Sequence, residues 1–382
     1  MEYVQERVTT LHDLADPRPA TPTDRCAVVV PMTEREYAGL AAERVLSELE
    51  RVDPARVVVP LRAPADKVAQ FHDWLAEYDL TLQTLWCTGP RVESLLDAHD
   101  LDGTRGKGRD VWLAVGQALS EEYVVVHDAD TKTYSQWYVP RLLYPLLEGH
   151  DFAKGYYARV ENNRLYGRLF RLFYAPFVRT LADEHDAPIL DYLASFRYAL
   201  AGEFAATSDL LRTVRFQRSW GLEVGTLGEA FAEAGFRRSA QVDLGAYEHD
   251  HRAVSGPTGL SDMSQTVGEA ILRAVTDHGV EPDYETLPAQ YRETGFDFVR
   301  RYATDAAYNG LEYDRSGERE QVTTYADAIR QPGPDRRLPA WDDAPITPAE
   351  VREAASDDMA EARASGSGGT DGGTDDDTTD GE

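Results

Sequence analysis

Apolar residues in the first two thirds of the chain occur in short runs that are rich in valine, leucine and alanine. Each run ends at turn-forming or polar residues. Runs of this length and composition are typical of buried β-strands. The pattern predicts strands over residues 26–30, 56–60, 82–87, 123–127, 152–160 and 240–244.

Between these runs, apolar residues recur at helical spacing. Helices are predicted over residues 35–51 and 109–119, and their apolar faces consist of Ala38, Ala42, Val45, Leu49, Val111, Trp112, Val115 and Leu119. Strands that alternate with helices of this length indicate right-handed β-α-β units and a mostly parallel sheet flanked by helices. Ligands bind at the carboxyl ends of the strands in such sheets.

The pattern changes after the fifth predicted strand. An aromatic and aliphatic stripe runs from Leu165 to Leu181 at helical spacing, and residues after His251 are largely helical through Leu311. The stripe suits a core or dimer contact, although a membrane surface or a partner subunit remains an alternative. From Arg363 the chain is rich in Ser, Gly and Asp, which predicts a disordered acidic tail.

The charge of the chain excludes one class of partner. Its 382 residues contain 39 Lys and Arg against 67 Asp and Glu, which gives a formal net charge of −28. Such a surface repels a phosphate backbone, so we expect no nucleic-acid partner. The only lysines are Lys67, Lys107, Lys132 and Lys154. Acid-rich, lysine-poor surfaces are typical of proteins from salt-loaded cells, and we infer a halophilic source.

We expect a cytoplasmic protein without a membrane span. Residues 1–25 lack a basic start followed by an apolar run, and no apolar stretch reaches the roughly 18 residues that a spanning helix needs. Cys26 and Cys87 both lie in apolar runs, as buried free thiols in a reducing compartment do.

The strongest chemical signal follows the strand at 123–127. It carries Asp128 and Asp130, two residues apart and therefore on the same side of an extended chain. A hard divalent cation between such a carboxylate and a diphosphate would neutralise a leaving nucleotide. An Asp-x-Asp pair in an acidic chain is often only solvated surface, and its place directly after a buried strand favours the metal role.

Three further segments carry candidate groups. Gly106, Lys107 and Gly108 open a helix, and Lys107 suits either a phosphate or a solvated turn. Glu223 lies between glycines at a helix start. Its carboxylate could accept hydrogen bonds from sugar hydroxyls, or it could only stabilise the positive end of the helix dipole. His249 follows the last predicted strand and is either a metal ligand or a solvated side chain.

Several other chemistries lack their motifs in this sequence. It contains no Gly-x-Ser-x-Gly, His-Glu-x-x-His, Cys-x-x-Cys or Gly-x-Gly-x-x-Gly pattern, and the Gly106 segment lacks the spacing of an ATP-binding P-loop. Hydrolase, zinc protease, dehydrogenase and ATPase functions are therefore disfavoured.

Taken in order, these segments resemble the glucosyl-3-phosphoglycerate synthases, which are retaining glycosyltransferases of the GT-A type. The resemblance runs from about Arg25 to about Ala253. It is carried by Gly106–Gly108 with Trp112, Asp128–Asp130, Val139–Leu147, Gly167–Arg168 with Ala175–Pro176, Gly202–Ala205, Gly221–Gly225, and Gln241–Gly245 with His249.

The resemblance implies a role for each matched position. Uridine would contact Pro31, Thr33 and Glu34, and the rest of the donor would contact Lys107, Asp128, Ala129, Asp130 and Glu223. Asp130 and His249 would hold Mg²⁺ or Mn²⁺, and Arg168, Phe170 and His251 would bind the acceptor. Asp130, Lys107 and Glu223 are the expected catalytic residues. Retention in this family requires no protein nucleophile, because the departing phosphate helps to deprotonate the acceptor.

Two segments depart from the family pattern. The family has Arg-Val-Thr at the acceptor site, whereas this chain has Arg168, Leu169 and Phe170, which removes a hydroxyl and adds a ring. The second strand is followed by Leu61 and Arg62 rather than by an Asp-bearing loop. The donor half of the site is therefore better supported by sequence than the acceptor half.

The function expected from the sequence is a metal-dependent glycosyltransferase that moves a hexose from a nucleotide sugar, UDP-glucose in the family, to a small anionic acceptor such as 3-phosphoglycerate. Precursors of glucosylglycerate, a compatible solute, would be the products. A lipid, glycan or protein acceptor is one alternative, and an inactive nucleotide-sugar-binding protein is another. We expect a homodimer.

The expected fold is a GT-A-type, Rossmann-like α/β fold with a helical C-terminal extension. Its expected parts are an N-terminal extension over 1–24, a nucleotide-sugar-binding half over 25–160, and an acceptor half that completes the metal site over 161–255. A helical region over 256–340 and a linker with the acidic tail over 341–382 would follow.

Overall fold

A nine-stranded sheet lies at the centre of the computed structural model, which describes residues 4–250 and 257–367. The strands are β1 (Thr9–Leu11), β2 (Cys26–Val29), β3 (Met32–Thr33), β4 (Arg56–Arg62), β5 (Leu82–Trp86), β6 (Tyr123–Val126), β7 (Phe152–Ala158), β8 (Val160–Glu161), β9 (Arg164–Leu165), β10 (Phe204–Thr207) and β11 (Ser239–Ala246). Strands β8 and β9 form a separate antiparallel pair.

Helices cover both faces of this sheet. They are α1 (Leu40–Val52), α2 (Ala65–Leu75), α3 (Pro90–Asp97), α4 (Lys107–Ala118), α5 (Tyr138–Leu147), α6 (Ala175–Glu184), α7 (Pro188–Ala194), α8 (Ser208–Thr213), α9 (Leu222–Glu233), α10 (Pro257–Thr276), α11 (Leu287–Tyr308), α12 (Arg315–Ala326) and α13 (Pro348–Ser367). A π-helical segment, Leu169–Tyr174, precedes α6.

The sheet is mostly parallel, as the alternation of strands and helices predicts. Its order is β1-β11-β7-β10-β6-β2-β4-β3, and β5 pairs with β4. Every pairing is parallel except those of β10, which runs antiparallel to β6 and β7. Because β2 and β6 are parallel neighbours, their carboxyl ends lie side by side at one edge of the sheet. The predicted α/β fold with a helical C-terminal region is confirmed.

The aromatic stripe at 165–181 belongs to the core. Leu172, Phe173, Phe177 and Leu181 are all buried in the larger apolar cluster, where Phe173 also contacts Tyr291 of α11. The core contact that the stripe favoured is therefore the one observed. Among residues 4–250 and 257–367, the structure has no helix with the length and apolarity needed to cross a bilayer.

The segment after residue 340 differs from the linker expected there. Its helix α13 packs against α2 and α3, and its buried side chains Val351, Ala355 and Met359 recur every four residues. Only one fully buried apolar residue occurs in each helical turn, and the residues between these are mostly acidic or small. The composition of the segment therefore suggested a linker. The remaining part of the predicted tail, 368–382, lies outside the described residues.

Candidate active site

The predicted carboxylate pair lies where β6 leaves the sheet. The backbone N–H of His127 donates to the carbonyl of Val29 at 3.0 Å, which continues the ladder between β6 and β2 for one more residue. His127 is buried, and burial lowers the pKa of its imidazole to about 3. Asp128 and Asp130 follow it, and their side chains are 23% and 33% exposed.

Lys107 joins this strand end to helix α9. Its ammonium Nζ lies 2.5 Å from Oδ1 of Asp128 and 2.9 Å from Oε1 of Glu223. The three side chains are only 11–23% exposed. Burial alone would lower the pKa of Lys107, but the two carboxylates outweigh it and raise that pKa. Lys107 therefore stays positively charged, and its charge lowers the pKa of Asp128.

The glycines beside Lys107 allow this approach. A Cβ atom on Gly108 would lie 1.8 Å from the carbonyl oxygen of Gln217, and one on Gly106 would lie 2.8 Å from that of Arg218. The start of α4 thus packs directly on the backbone just before α9. That close packing brings Lys107, the first residue of α4, within reach of Glu223 in the first turn of α9.

Asp130 and His249 form the second pair of the site. Nε2 of His249 lies 3.0 Å from Oδ2 of Asp130, and residues 131 and 249 form an antiparallel bridge. The N–H of Asp250 also donates to the carbonyl of Asp130 at 2.8 Å. Oδ1 of Asp130 is buried and has no hydrogen-bond partner among the described residues. A carboxylate oxygen and an imidazole nitrogen held this close suit a divalent cation.

The segment after β2 reaches the same edge of the sheet. Thr33 donates both its N–H and its hydroxyl to Oε2 of Glu36, at 2.6 and 2.7 Å, and its hydroxyl oxygen accepts from the N–H of Arg35, which caps a 3-10 turn. Burial and the nearby Asp130 raise the pKa of Glu36. Pro31 is partly buried and Glu34 is exposed. The segment 31–36 therefore lies near Asp130, as a uridine-binding role requires.

The predicted acceptor residues Arg168 and Phe170 contact other parts of the fold. Arg168 is 51% exposed, and its Nε lies 3.9 Å from Glu318 of α12. Phe170 stacks on Tyr174 at 5.5 Å and also contacts Tyr198 at 5.0 Å. Ala129, which was predicted to contact the donor, is buried next to Asp128 in the chain. His251 lies outside the described residues.

Two buried charged groups near the site were not predicted. Lys154 is fully buried on β7, and its Nζ has no hydrogen-bond partner among the described residues. Glu203 precedes β10, accepts a hydrogen bond from Tyr157 at 2.9 Å, and has its pKa raised to about 7 by burial and by Asp128. The scarcity of lysine was the only sequence signal for Lys154. Glu203 lies in the matched segment Gly202–Ala205, but no role was predicted for it.

Gly202 gives a first test of the strand end. A Cβ atom there would lie 2.2 Å from Oδ2 of Asp128, so Gly202→Ala displaces that carboxylate from Lys107. We expect kcat/KM to fall by about 10- to 100-fold, because sub-ångström errors in a charged site are costly. Steady-state assays with Gly333→Ala as the control, where a Cβ meets nothing within 4 Å, measure the effect. Equal activity of the two variants would contradict the prediction.

Lys154 gives a test of pH dependence. Burial lowers its pKa from 10.5 to about 8, with Glu223 opposing the shift. Between these values the unfolded state binds more protons than the folded state, so the free energy of unfolding rises with pH across this window. Below pH 8 the buried ammonium destabilises the fold by about 3 kcal/mol.

Lys154→Met should therefore raise the free energy of unfolding at pH 7 by about 2–3 kcal/mol and should remove the rise between pH 8 and 10. Urea unfolding at a series of pH values measures both changes. Lys67→Met serves as the control, because Lys67 is exposed in the first turn of α2. If the free energy of unfolding of Lys154→Met and of the unaltered chain depended on pH in the same way, burial would not destabilise the charged form of Lys154.

Comparison with known proteins shows the family of the chain. No family model matches the chain. A glucosyl-3-phosphoglycerate synthase of Methanococcoides burtonii is 35% identical over 393 residues, covering 92% of this chain and 96% of that protein. The enzyme of the same name from Persephonella marina is 33% identical and covers 80% of each chain.

Solved structures show the same fold. The glucosyl-3-phosphoglycerate synthase of Mycobacterium tuberculosis, in complex with Mg²⁺ and UDP, is 25% identical with a TM-score of 0.54, covering 72% of this chain and 88% of that one. A mannosyl-3-phosphoglycerate synthase of Rubrobacter xylanophilus has a TM-score of 0.55 at 23% identity, with coverage of 72% and 83%. The likeness in sequence over nearly the full length shows that this chain belongs to the glucosyl-3-phosphoglycerate synthase family.

Proposed function

We propose that this site transfers a glucosyl group from UDP-glucose to 3-phosphoglycerate, with Mg²⁺ or Mn²⁺ as cofactor and with retention of configuration. The observation that carries the proposal is the ammonium of Lys107, which lies between Asp128 and Glu223 at the edge where Asp130 and His249 form their pair. The names of the two relatives that match over most of their length support the substrates.

In the donor half, Lys107 binds the diphosphate. An ammonium has three N–H donors, so Lys107 keeps its bonds to Asp128 and Glu223 and turns the third toward a phosphate oxygen. Glu223 accepts hydrogen bonds from glucose hydroxyls, and Asp128 supports the nucleotide. Pro31, Thr33 and Glu34 line the uridine, and Ala129 lies between the two aspartates in the chain.

Asp130 and His249 are the residues that hold the metal. Their 3.0 Å separation and the buried, unpartnered Oδ1 of Asp130 fit a divalent cation, which these two side chains would hold beside the diphosphate. When bound, Mg²⁺ or Mn²⁺ neutralises the charge that develops on the leaving UDP. The described residues provide no group of three or more metal-ligating His, Cys, Asp or Glu side chains.

The transfer itself needs no protein nucleophile. The hydroxyl oxygen of the acceptor forms a bond to the anomeric carbon on the face from which UDP leaves, and the bond from that carbon to the diphosphate breaks. The hydroxyl proton passes to the departing phosphate oxygen. Lys107 contributes by stabilising the charge of the leaving group, and Glu223 by fixing the sugar.

The acceptor is held at Arg168, whose exposed guanidinium suits an anionic group, beside the ring of Phe170. Binding of a lipid, glycan or protein would have been favoured by a free aromatic stripe at 165–181. That stripe is buried in the core, and this favours the small anionic acceptor. The pairing of Asp130 with His249 argues against an inactive sugar-binding protein.

Calorimetry of UDP-glucose binding with and without Mn²⁺, in molar KCl, tests the donor half. We expect binding that strengthens with Mn²⁺, and transfer to 3-phosphoglycerate detected by mass spectrometry with glycerate and lipid phosphates in the same panel. Absence of UDP-glucose binding would overturn the proposal. Transfer to a lipid but not to 3-phosphoglycerate would overturn the acceptor alone.

We further propose a halophilic, cytoplasmic homodimer. The net charge of −28 and the count of four lysines support an enzyme adapted to high salt, because salt screens its self-repulsion. Light scattering of the purified chain in molar KCl measures the oligomeric state. A monomer at micromolar concentration would contradict the dimer and would leave the transfer chemistry untouched.

A further inference from the structure

We infer that Arg159 is a second cation of the acceptor site and binds the acceptor's carboxylate, beside the hydroxyl that receives the sugar. The inference rests on the proposed function and goes beyond it, because it assigns an acceptor group to a residue outside the matched segments. Arg159 lies between β7 and β8, directly after the sheet ends.

The first observation is the position of Arg159 beside the metal pair. Its guanidinium lies 5.7 Å from the centre of the ring of Tyr247, which is two residues before His249 and 6.4 Å from it between ring centres. Arg159 is therefore close to the metal side of the site.

The second observation is a link from Arg159 to the turn that carries Arg168. Burial raises the pKa of Tyr198, and the guanidinium of Arg159, which lies close to this phenol, opposes that rise. The phenol oxygen lies 3.0 Å from the point where a Cβ on Gly167 would be, and Gly167 has a φ of +75° that favours glycine. Tyr198 thus connects Arg159 to the residue before Arg168. An acceptor that reaches from the metal pair to Arg168 passes Arg159.

The third observation is that the charge of Arg159 is poorly matched inside the protein. The carboxylate that pairs with it among the described residues is that of Glu161, at 3.9 Å, which is too long for a hydrogen bond. Nε of Arg159 is buried without a hydrogen-bond partner in the described part of the chain, and the side chain is only 18% exposed. A largely buried guanidinium with a fork of donors to spare suits a carboxylate.

The chemistry of the acceptor decides which anionic group belongs to Arg159. In 3-phosphoglycerate the carboxylate is attached to the carbon that bears the reacting hydroxyl, whereas the phosphorus atom lies three bonds away from that carbon. The hydroxyl must lie near the donor diphosphate and its metal. The carboxylate therefore lies near Arg159, on the metal side, and the phosphate extends toward the exposed Arg168.

The test compares acceptors that lack one anionic group. Arg159→Met should lower kcat/KM for 3-phosphoglycerate by about 10- to 100-fold, and should lower it far less for glycerol 3-phosphate, which has no carboxylate. Arg168→Met should instead affect both phosphorylated acceptors and spare glycerate. Arg159→Lys should recover part of the loss. Arg164→Met is the matched control, because Arg164 is 63% exposed and pairs with Glu312.

The result has separable outcomes. UDP-glucose affinity and its dependence on Mn²⁺ should be the same in Arg159→Met and the unaltered chain. Loss of donor binding in both methionine and lysine variants would show that Arg159 only supports the fold, and would overturn the inference. An unchanged preference for 3-phosphoglycerate over glycerol 3-phosphate would overturn it as well. Failure of the proposed function is distinct, because then the unaltered chain itself transfers glucose to neither acceptor.

Discussion

Lys107→Met is expected to lower kcat/KM for glucosyl transfer by about 10³-fold or more. Removal of one preorganised charge that stabilises a leaving group costs about 10²- to 10³-fold. The substitution also leaves Asp128 and Glu223 close together without the ammonium that joins them. Steady-state kinetics with UDP-glucose and 3-phosphoglycerate, together with the affinity for UDP, measure the loss.

Lys67→Met is the control for this substitution, because it removes the same positive charge at an exposed position on α2. Circular dichroism checks that both variants fold. A Lys107→Met enzyme that keeps more than a tenth of the activity would show that the contact between Lys107 and the diphosphate contributes little, and that the ion pairs of Lys107 serve the fold.

Asp130→Ala should have a comparable effect through the metal. The substitution removes the carboxylate that faces His249 and leaves a single protein ligand of the proposed pair. We expect Mn²⁺ to stop strengthening the binding of UDP-glucose, and kcat/KM to fall by about 10³-fold because the leaving group loses its neutralising cation. Calorimetry with and without Mn²⁺ separates this loss from a general loss of fold.

Asp97→Ala provides the matched control, because Asp97 is exposed at the end of α3. It removes one negative charge from a strongly acidic chain and should leave metal dependence unchanged. If Asp130→Ala responds to Mn²⁺ in the same way as Asp97→Ala, the assignment of Asp130 and His249 as metal ligands is wrong.

The sequence predicted the part of the site whose residues are close neighbours in the chain. Asp128 and Asp130 follow a run of buried valines, and the parallel sheet places their strand end beside that of β2. The valine run and the Asp-x-Asp spacing are local, so a single sequence contains them, and the pairing with β2 followed from the general rule for parallel sheets. The fold class followed from the same alternation of strands and helices. The proximity of Lys107, Glu223 and His249 required the additional information of the family resemblance.

Other features depend on contacts between distant segments. The antiparallel strand β10 is four residues long and resembles many other short apolar runs. Lys154 and Glu203 have their functional environment only because β7 and β10 are neighbours in the sheet. Arg159 directly follows β7, which ends at Ala158 and not at residue 160 as predicted. Its neighbours Tyr198 and Tyr247 belong to two later segments of the chain.

The packing of the C-terminal segment on α4 has a consequence for biosynthesis. Trp341 stacks on Trp112 at 4.3 Å and donates its indole N–H to the carbonyl of Trp112, across 229 residues of sequence. Helix α13 then covers α2 and α3. During translation the donor half therefore leaves the ribosome long before Trp341 and α13, which complete its core. Until those residues have been synthesised, the apolar surface of α4, α2 and α3 that they cover remains exposed.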